Sequence, residues 1–342
     1  DRTSPAGRVC FVGRARTMGI DTSCTRVHPV KRHAILVLAH DAAEYGPLLE
    51  PLRAEGVDIA LAATPGAARA RASGQPVVLG EPDLIAAALD DLPGLRWVQS
   101  TWAGVTPLIE HPRRDYRLTG VKGVFGSQMA EYALGYLLAH QLRLLERLGR
   151  QARRDWWPEP SSTLAGGTLG VMGTGSIGAA IAQRARVFDL AVIGLSRSGR
   201  PRTGFERVWP VAELADFLPR ADFLVSVLPD TPATRGLLGA EAIAAMRRGA
   251  YFINVGRGSV VDEAALARAL NEGHLGGAAL DVFGEEPLPH DSPLWHAENT
   301  LVTAHVAARS WPRDIAALFI DNFRRFTAGE ALRYAVDFER GY

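Results

Sequence analysis

Two alternating α/β layers, the second a doubly wound parallel sheet, are what the order of apolar runs predicts for this chain. Three observations carry the prediction. Short apolar runs of strand length alternate with helical patterns along most of the sequence, and such alternation argues for parallel sheets covered by helices. The alternation comes in two series, divided by a long helical pattern and by a loop rich in Pro, Ser and Gly at residues 158–167. The chain has 342 residues, 47% of them hydrophobic. Single cores stop growing near ~250–300 residues, so two domains are expected.

The first series opens on the apolar run at residues 34–39, followed by an amphipathic helix at 47–54. Strands are expected at 57–62, 77–79 and 95–99, with a helix at 82–89. Residues 60–72 are Ala-rich and give no further signal. One long helix is expected over 128–154, ending near Trp156-Trp157-Pro158. The second series supplies strands at 168–172, 191–195, 223–227, 251–254, 277–280 and 300–303. A last helix follows at 312–328, and its pattern does not say which layer it packs on.

Composition narrows the partners. With 38 basic against 37 acidic residues there is no net field to collect nucleic acid or an anionic membrane, so a small molecule is the expected partner. No apolar stretch reaches the ~20 residues of a spanning helix, and no membrane association is expected. Both cysteines, Cys10 and Cys24, lie in the first 32 residues, which leaves the remainder without thiol chemistry, disulfides or a cysteine metal site. No metal is expected, and a reducing, cytoplasmic setting fits. Residues 1–32 hold seven Arg/Lys against two Asp and no hydrophobic periodicity. Their composition resembles a transit peptide but lacks the apolar core of a secretory signal, and they read as a disordered basic leader or an upstream start.

The most specific motif is Leu169-Gly170-Val171-Met172-Gly173-Thr174-Gly175-Ser176-Ile177-Gly178, a strand running into a Gly-x-Gly-x-x-Gly turn and then an apolar-periodic helix. Gly173 is expected to make the tight turn, Gly175 to let backbone approach a pyrophosphate, and Gly178 to let helix and strand pack closely. N–H groups at the helix start then face the phosphates. About 20 residues on, where an NAD site usually carries Asp or Glu, the chain reads Leu195-Ser196-Arg197-Ser198-Gly199-Arg200. Hydroxyls and a guanidinium bind a 2′-phosphate that an acid would repel, so NADP is the favoured cofactor, with NAD possible.

Three downstream segments each follow an expected strand: Asn254-Val255-Gly256-Arg257-Gly258, Leu280-Asp281-Val282-Phe283-Gly284-Glu285-Glu286-Pro287 and Thr303-Ala304-His305-Val306-Ala307-Ala308. Strand ends of an open parallel sheet line one crevice, which brings Arg257, Glu286 and His305 into reach of each other. A 2-oxo acid needs a guanidinium for its carboxylate and a proton donor for the developing alkoxide. A carboxylate beside the imidazole favours its protonated form. The remaining histidines, His28, His33, His40, His111, His140, His274, His290 and His296, lack this strand-end setting and are read as structural or surface groups.

Together these residues resemble the D-isomer-specific 2-hydroxyacid dehydrogenases over residues 34–342. Val306-Ala307-Ala308 and Ser196-Arg197-Ser198 are similar to the glyoxylate/hydroxypyruvate reductase branch. The resemblance implies two Rossmann-like domains: a cofactor domain at 128–305, inserted into a discontinuous substrate domain at 33–127 and 306–342. It implies Arg257 as the carboxylate ligand, His305 as acid/base and Glu286 as its partner. Trp102, Ala103, Gly104 and Val105 match the family's substrate loop. It also places Leu228 and Pro229 near the adenosine, Asp281 near the nicotinamide carboxamide, and Val255 and Gly256 beside the cofactor. A homodimer is implied, with the 128–154 helix and Trp156-Trp157 as its candidate surface. The other reading of the same fold is a dinucleotide-sensing, corepressor-like binding protein, since fold alone does not fix function.

Overall fold

The computed structural model describes residues 33–71, 74–339 and 341; the expected leader at 1–32 lies outside the described residues. Strands β1 (Ala34–Leu38), β2 (Asp58–Ala62), β3 (Val77–Gly80), β4 (Trp97–Ser100) and β5 (Arg117–Thr119) form one sheet in the order β2-β1-β3-β4-β5. Strands β6 (Thr168–Met172), β7 (Ala191–Ser196), β8 (Arg207–Pro210), β9 (Phe223–Ser226), β10 (Tyr251–Asn254), β11 (Gly277–Leu280) and β12 (Thr300–Val302) form a second, in the order β12-β11-β10-β9-β6-β7-β8. Every pairing between these strands is parallel. Parallel sheets are covered on both faces, which is why their strands read as unbroken apolar runs.

Register decides which residues share an edge. In the first sheet Leu38 pairs with Gly80 and Gly80 with Ser100, so the residues just beyond them, from His40, Glu81 and Thr101 onward, leave from one row. In the second, Met172, Ser226, Asn254, Leu280 and Val302 are aligned, so Gly173, Val227, Val255, Asp281 and Thr303 leave from one row.

Four apolar layers cover the four sheet faces. The Pro312–Ala328 helix sends Ile315, Phe319 and Phe323 against Ile35, Val37 and Trp97, and Phe319 stacks on Trp97 at 5.3 Å. Leu36, Leu38, Val78 and Val98 bury the opposite face with Ile85 and Leu108. The Gly126–Gln141 helix places Ala130, Leu134 and Leu137 over Leu169, Val171 and Val225 of the second sheet. Phe217 and Leu266 cover its other face with Leu224 and Phe252. Each such side chain contributes about 1.5–3 kcal/mol by leaving water.

The structure corrects several sequence readings. The expected 128–154 helix is two helices, Gly126–Gln141 and Leu144–Ala152, broken at Arg143, whose φ of 51° is left-handed. The leucine pattern runs on across the break, so periodicity cannot see it. The helix expected at 47–54 starts at Ala42 and divides into Ala42–Leu48 and Glu50–Ala54, with Pro51 in the first turn of the second piece. Strands β5 and β8 and the Pro65–Arg71 helix inside the Ala-rich tract were not expected. Among the described residues no helix is long and apolar enough to cross a membrane.

Candidate active site

The glycine-rich turn leaves the carboxyl end of β6. Gly173 has φ +106°, donates its N–H to Leu195 O at 2.8 Å, and lies where a Cβ would stand 3.0 Å from Val227 Cγ2. A Cβ on Gly178 would collide with the Gly173 carbonyl, so helix and turn pack backbone to backbone. Thr174 is buried, and its methyl occupies the space left by the missing side chain of Gly194. Ile177 touches the cores of both sheets. Gly175 is different: it is exposed, nothing would meet its Cβ within 4 Å, and it caps the ten-residue Ser176–Ala185 helix. Open backbone at the start of a helix fits a dinucleotide pyrophosphate by hydrogen bonding and dipole alike.

The end of β7 also fits a phosphate better than a ribose diol. Ser196 closes the strand and its Oγ accepts the Gly199 N–H at 3.1 Å, while Arg197 and Ser198 are exposed beside it.

On the β10 edge, buried Asn254 braces the loop that carries Arg257. Its Oδ1 accepts the Gly256 N–H at 3.2 Å and its Nδ2 donates to Arg257 O at 3.1 Å. A Cβ on Gly256 would stand 2.7 Å from Leu228 N and O, so the loops after β9 and β10 touch through backbone. Pro229 O accepts the Thr234 hydroxyl at 2.6 Å. Asp230 receives Arg235 Nε and Nη2 at 2.7 and 3.0 Å and Ser259 Oγ at 2.9 Å, and the Arg235 hydrogen bonds hold its carboxyl below the usual range. Arg257 donates from Nη1 to Gly256 O at 2.6 Å. Burial pushes its pKa down, against the opposing charges of Glu286 and Asp230.

Arg257 also joins the two sheets. A Cβ on Gly104, in the loop beyond β4, would stand 2.9 Å from Arg257 Nη2, so glycine lets the guanidinium lie against that backbone. Around it, Trp102 N–H donates to Ser100 Oγ at 2.9 Å and Ser100 Oγ donates to Trp102 O at 2.8 Å. Ala103 is exposed, and Val105 is buried at the start of the Thr106–Glu110 helix.

His305 is oriented by two loops. Its Nδ1 lies 2.8 Å from Glu286 Oε2, while Glu286 Oε1 accepts the Phe283 N–H at 2.9 Å. A carboxylate only accepts, so Nδ1 carries the proton of this bond and Nε2 is left for other partners. His305 itself has φ +55°, an uncommon conformation for a residue with a Cβ. Its N–H donates to Asp281 O at 2.8 Å. The Asp281 carboxylate, 1% exposed, then accepts Thr303 Oγ1 at 2.5 Å, Val306 N–H at 2.8 Å and Ala307 N–H at 2.9 Å. With the Thr303 hydroxyl spent on Asp281, the Tyr132 hydroxyl 2.7 Å away donates to Thr303, and burial pushes the Tyr132 pKa up.

The structure thus pairs Glu286 with His305 and sets Arg257 against Gly104. Asn254, Thr303 and Tyr132 were not singled out by the sequence, although the first two stand inside the quoted motifs. His40, which the sequence reading gives no strand-end setting, lies just beyond β1, and its Nδ1 stands 2.6 Å from Glu81 Oε2, beyond β3.

Fold and site together define a two-layered, dinucleotide-binding α/β protein with an Arg and a His–Glu couple on its strand ends. Residues 134–307 match the family model described as D-isomer specific 2-hydroxyacid dehydrogenase, NAD binding domain. Glyoxylate/hydroxypyruvate reductase A of Serratia proteamaculans is 33% identical over 257 residues, covering 72% of this chain and 82% of that one. The crystal structure of a D-isomer specific 2-hydroxyacid dehydrogenase family protein from Aeromonas salmonicida is 40% identical, with a TM-score of 0.86 over 90% of this chain and 99% of that one. An NADPH-dependent glyoxylate/hydroxypyruvate reductase from Sinorhizobium meliloti, solved with NADP and sulfate, is 32% identical with a TM-score of 0.77, covering 90% of this chain and 99% of that one. The chain belongs to the D-isomer specific 2-hydroxyacid dehydrogenase family.

Proposed function

We propose that this protein reduces a small 2-oxo acid of the glyoxylate or hydroxypyruvate kind to the 2-hydroxy acid, with NADPH as the preferred reductant and NADH as the weaker one. The observation that carries the reading is the set of groups around Gly104: a half-buried Arg257 against its backbone, with a charged neighbour in Glu286. The nicotinamide, when bound, supplies the hydride. Arg257 and the loop Trp102-Ala103-Gly104-Val105 hold the substrate carboxylate. His305, oriented through Nδ1 by Glu286, gives its Nε2 proton to the carbonyl oxygen as negative charge develops there. Thr174, Gly175, Ser176 and Ile177, between Gly173 and Gly178, carry the pyrophosphate, and Ser196, Arg197 and Ser198 the 2′-phosphate. Leu228, Pro229, Val255, Gly256 and Asp281 line the rest of the cofactor site. An oriented acid beside a carboxylate-binding arginine favours turnover over dinucleotide sensing alone.

The same proposal divides the chain into a substrate domain, 33–127 with 306–342, and a cofactor domain, 128–305. The packing of the Pro312–Ala328 helix on β1 and β4 supports that division. It also pairs two copies through the Leu144–Ala152 helix. None of that helix is buried, and Leu144, Leu145 and Leu148 are 46, 50 and 51% exposed. Trp157 lies under the guanidiniums of Arg143, Arg147 and Arg150, whereas Trp156 is exposed. Sedimentation of the protein and of Leu145→Glu tests the pair: a monomer in both removes it. We place the reaction in the cytoplasm, since residues 33–342 hold no cysteine that would call for an oxidising compartment.

Nucleotide oxidation followed at fixed enzyme with glyoxylate, hydroxypyruvate, pyruvate and phenylpyruvate, with NADPH and with NADH, tests the function. His305→Ala should lose about 10²–10⁴-fold in kcat and still bind NADPH. Failure to reduce any of the acids would refute the reading.

A further inference from the structure

A second histidine–carboxylate pair stands on the substrate side, at the point where the first sheet reverses its strand order. Ligand crevices in open parallel sheets form at such reversals, beyond the carboxyl ends of the strands. Here the order β2-β1-β3 puts the reversal between β1 and β3, and His40 and Glu81 leave from those two ends. Glu81 holds His40 twice, accepting its backbone N–H on Oε1 at 2.9 Å and facing Nδ1 with Oε2 at 2.6 Å. The Glu81 side chain is only 11% exposed while the His40 side chain is 69% exposed, so a buried anion fixes a ring that reaches into solvent.

Neighbouring contacts tie the segments that carry this pair to segments that lead into the candidate active site. On one side, Thr101 N–H donates to Gly80 O, next to Glu81, and Thr101 begins the loop whose Gly104 lies against Arg257. The Thr101 hydroxyl is buried with no hydrogen-bond partner among the described residues. On the other side, Arg309, four residues beyond His305, approaches Asp41 and Glu44 at 3.8 Å each. Gln128 clamps the backbone of Arg309 in turn, donating to its carbonyl and accepting its N–H, both at 2.9 Å.

We propose that His40, held by Glu81, determines substrate specificity by donating a hydrogen bond from Nε2 to a hydroxyl or carboxylate on the carbon beyond the ketone of the 2-oxo acid. The inference rests on the 2-oxo acid reading and adds to it the chemistry of the substrate's far end. Because Nδ1 must face a carboxylate acceptor, Nδ1 is protonated in either charge state, and Nε2 donates only in the imidazolium. The groups around the ring favour that form: the Glu81 hydrogen bond and charge push its pKa up, Asp83 and Asp41 add to this, and burial opposes it weakly. Glu44 is a further anion on the same turn, and Arg309 is the cation that faces it.

Hydroxypyruvate and 2-oxobutyrate separate this bond from the rest of the reaction, because they differ by a hydroxyl in place of a methyl. The ratio of their kcat/KM values cancels whatever His305 and Arg257 contribute to both. His40→Leu should lower that ratio about tenfold or more, the size expected of a hydrogen bond to a charged donor. In the unmodified enzyme the ratio should fall with rising pH as imidazolium is lost, because neutral Nε2 can only accept the substrate hydroxyl, a weaker bond than the charge-assisted one it replaces. Glu81→Gln keeps an acceptor for the His40 N–H but removes the charge, so the fall should move to lower pH. It serves also if His40→Leu does not fold. Turnover of both acids with a ratio that neither variant nor pH changes would overturn the inference alone. No turnover of either acid by the unmodified enzyme would overturn the parent reading, and this one with it.

Discussion

Replacing Asp281 with Asn separates two roles for a buried carboxylate. In the structure Oδ1 accepts the Thr303 hydroxyl and the Val306 N–H, and Oδ2 accepts the Ala307 N–H. A carboxamide has one acceptor oxygen. Placed toward Thr303 and Val306, it turns its NH2 against the Ala307 N–H, donor to donor, in a site 1% exposed. The variant loses one charge-assisted bond and neutralises two, and such bonds contribute roughly 1.5–3 kcal/mol each. Allowing for relaxation, the expected loss is about 2–4 kcal/mol, or roughly 3–6 °C in Tm for a chain of this size. Activity should fall further than stability. The φ of +55° at His305 is held by the flanking bonds of residues 303–307, and such a conformation costs about 1–3 kcal/mol when nothing enforces it. Thermal unfolding and steady-state kinetics with NADPH read both effects, with kcat expected to drop about tenfold or more beyond the KM change. An unchanged Tm, with only the KM for NADPH raised, would refute the reasoning and leave Asp281 as a cofactor contact alone.

Three further expectations follow from the same geometry. Gly178→Ala should fail to fold stably, since its Cβ collides with the Gly173 carbonyl, whereas Gly175→Ala should keep its Tm and weaken NADPH binding about tenfold or more, because its open backbone is where the phosphates approach; equal Tm losses would count against the turn as a binding feature. Arg197→Asp should raise the KM for NADPH by about two orders of magnitude more than that for NADH, as two charge-assisted bonds are lost; equal efficiency of the unmodified enzyme with both nucleotides would sink this. Glu263 has its pKa raised, first by burial and then by the nearby Glu286 charge, against the opposing Gly284 N–H bond at 2.7 Å. A folded pKa above the unfolded one means that ionisation of Glu263 opposes folding, fully above the raised value and not at all below the unfolded value. Glu263→Gln, which keeps an acceptor for Gly284, should therefore be the more stable protein near about pH 8 and converge with the parent near about pH 4; lower stability at the higher pH would contradict the sign.

How far the sequence carries depends on whether a feature is local. The strand–turn–helix at residues 168–178 is local, because three glycines, a preceding strand and a following helix all sit within one short segment, and the structure packs Gly173 and Gly178 closely while leaving Gly175 open. The other ten strands were legible as apolar runs, while β5 and β8 were not: they are three and four residues long, lie at sheet edges, and carry Arg117, Arg207 and Pro210. Edge strands need not be apolar on both faces, so the signal that finds buried strands is missing there. The break at Arg143 is invisible for the opposite reason. Apolar spacing continues through Leu142, Leu144, Leu145 and Leu148, but the left-handed residue turns those leucines outward.

The two histidine–carboxylate pairs show the same limit at the level of the site. His305 follows a strand in a motif whose neighbours, Glu286 and Arg257, belong to segments that also follow strands of one series, so a parallel sheet alone brings them to one edge. His40 follows a strand as well, and its residue type and position are the same. What it lacked in the sequence was a visible partner: Glu81 stands 41 residues away, before a short helix, with nothing to mark it as more than a surface acid. Only the register of β1 on β3, Leu38 opposite Gly80, puts the two in reach. The contact of Gly104 with Arg257 is of the same kind, since a glycine in an ordinary loop acquires meaning from a guanidinium carried by the other sheet. Under the proposed function, specificity for the substrate's far end has its origin in strand pairing within the first sheet, whereas the reacting end depends on loops from both sheets. Changes at His40 and Glu81 should for that reason alter which acid is reduced without altering how Arg257 and His305 face its carboxylate and carbonyl.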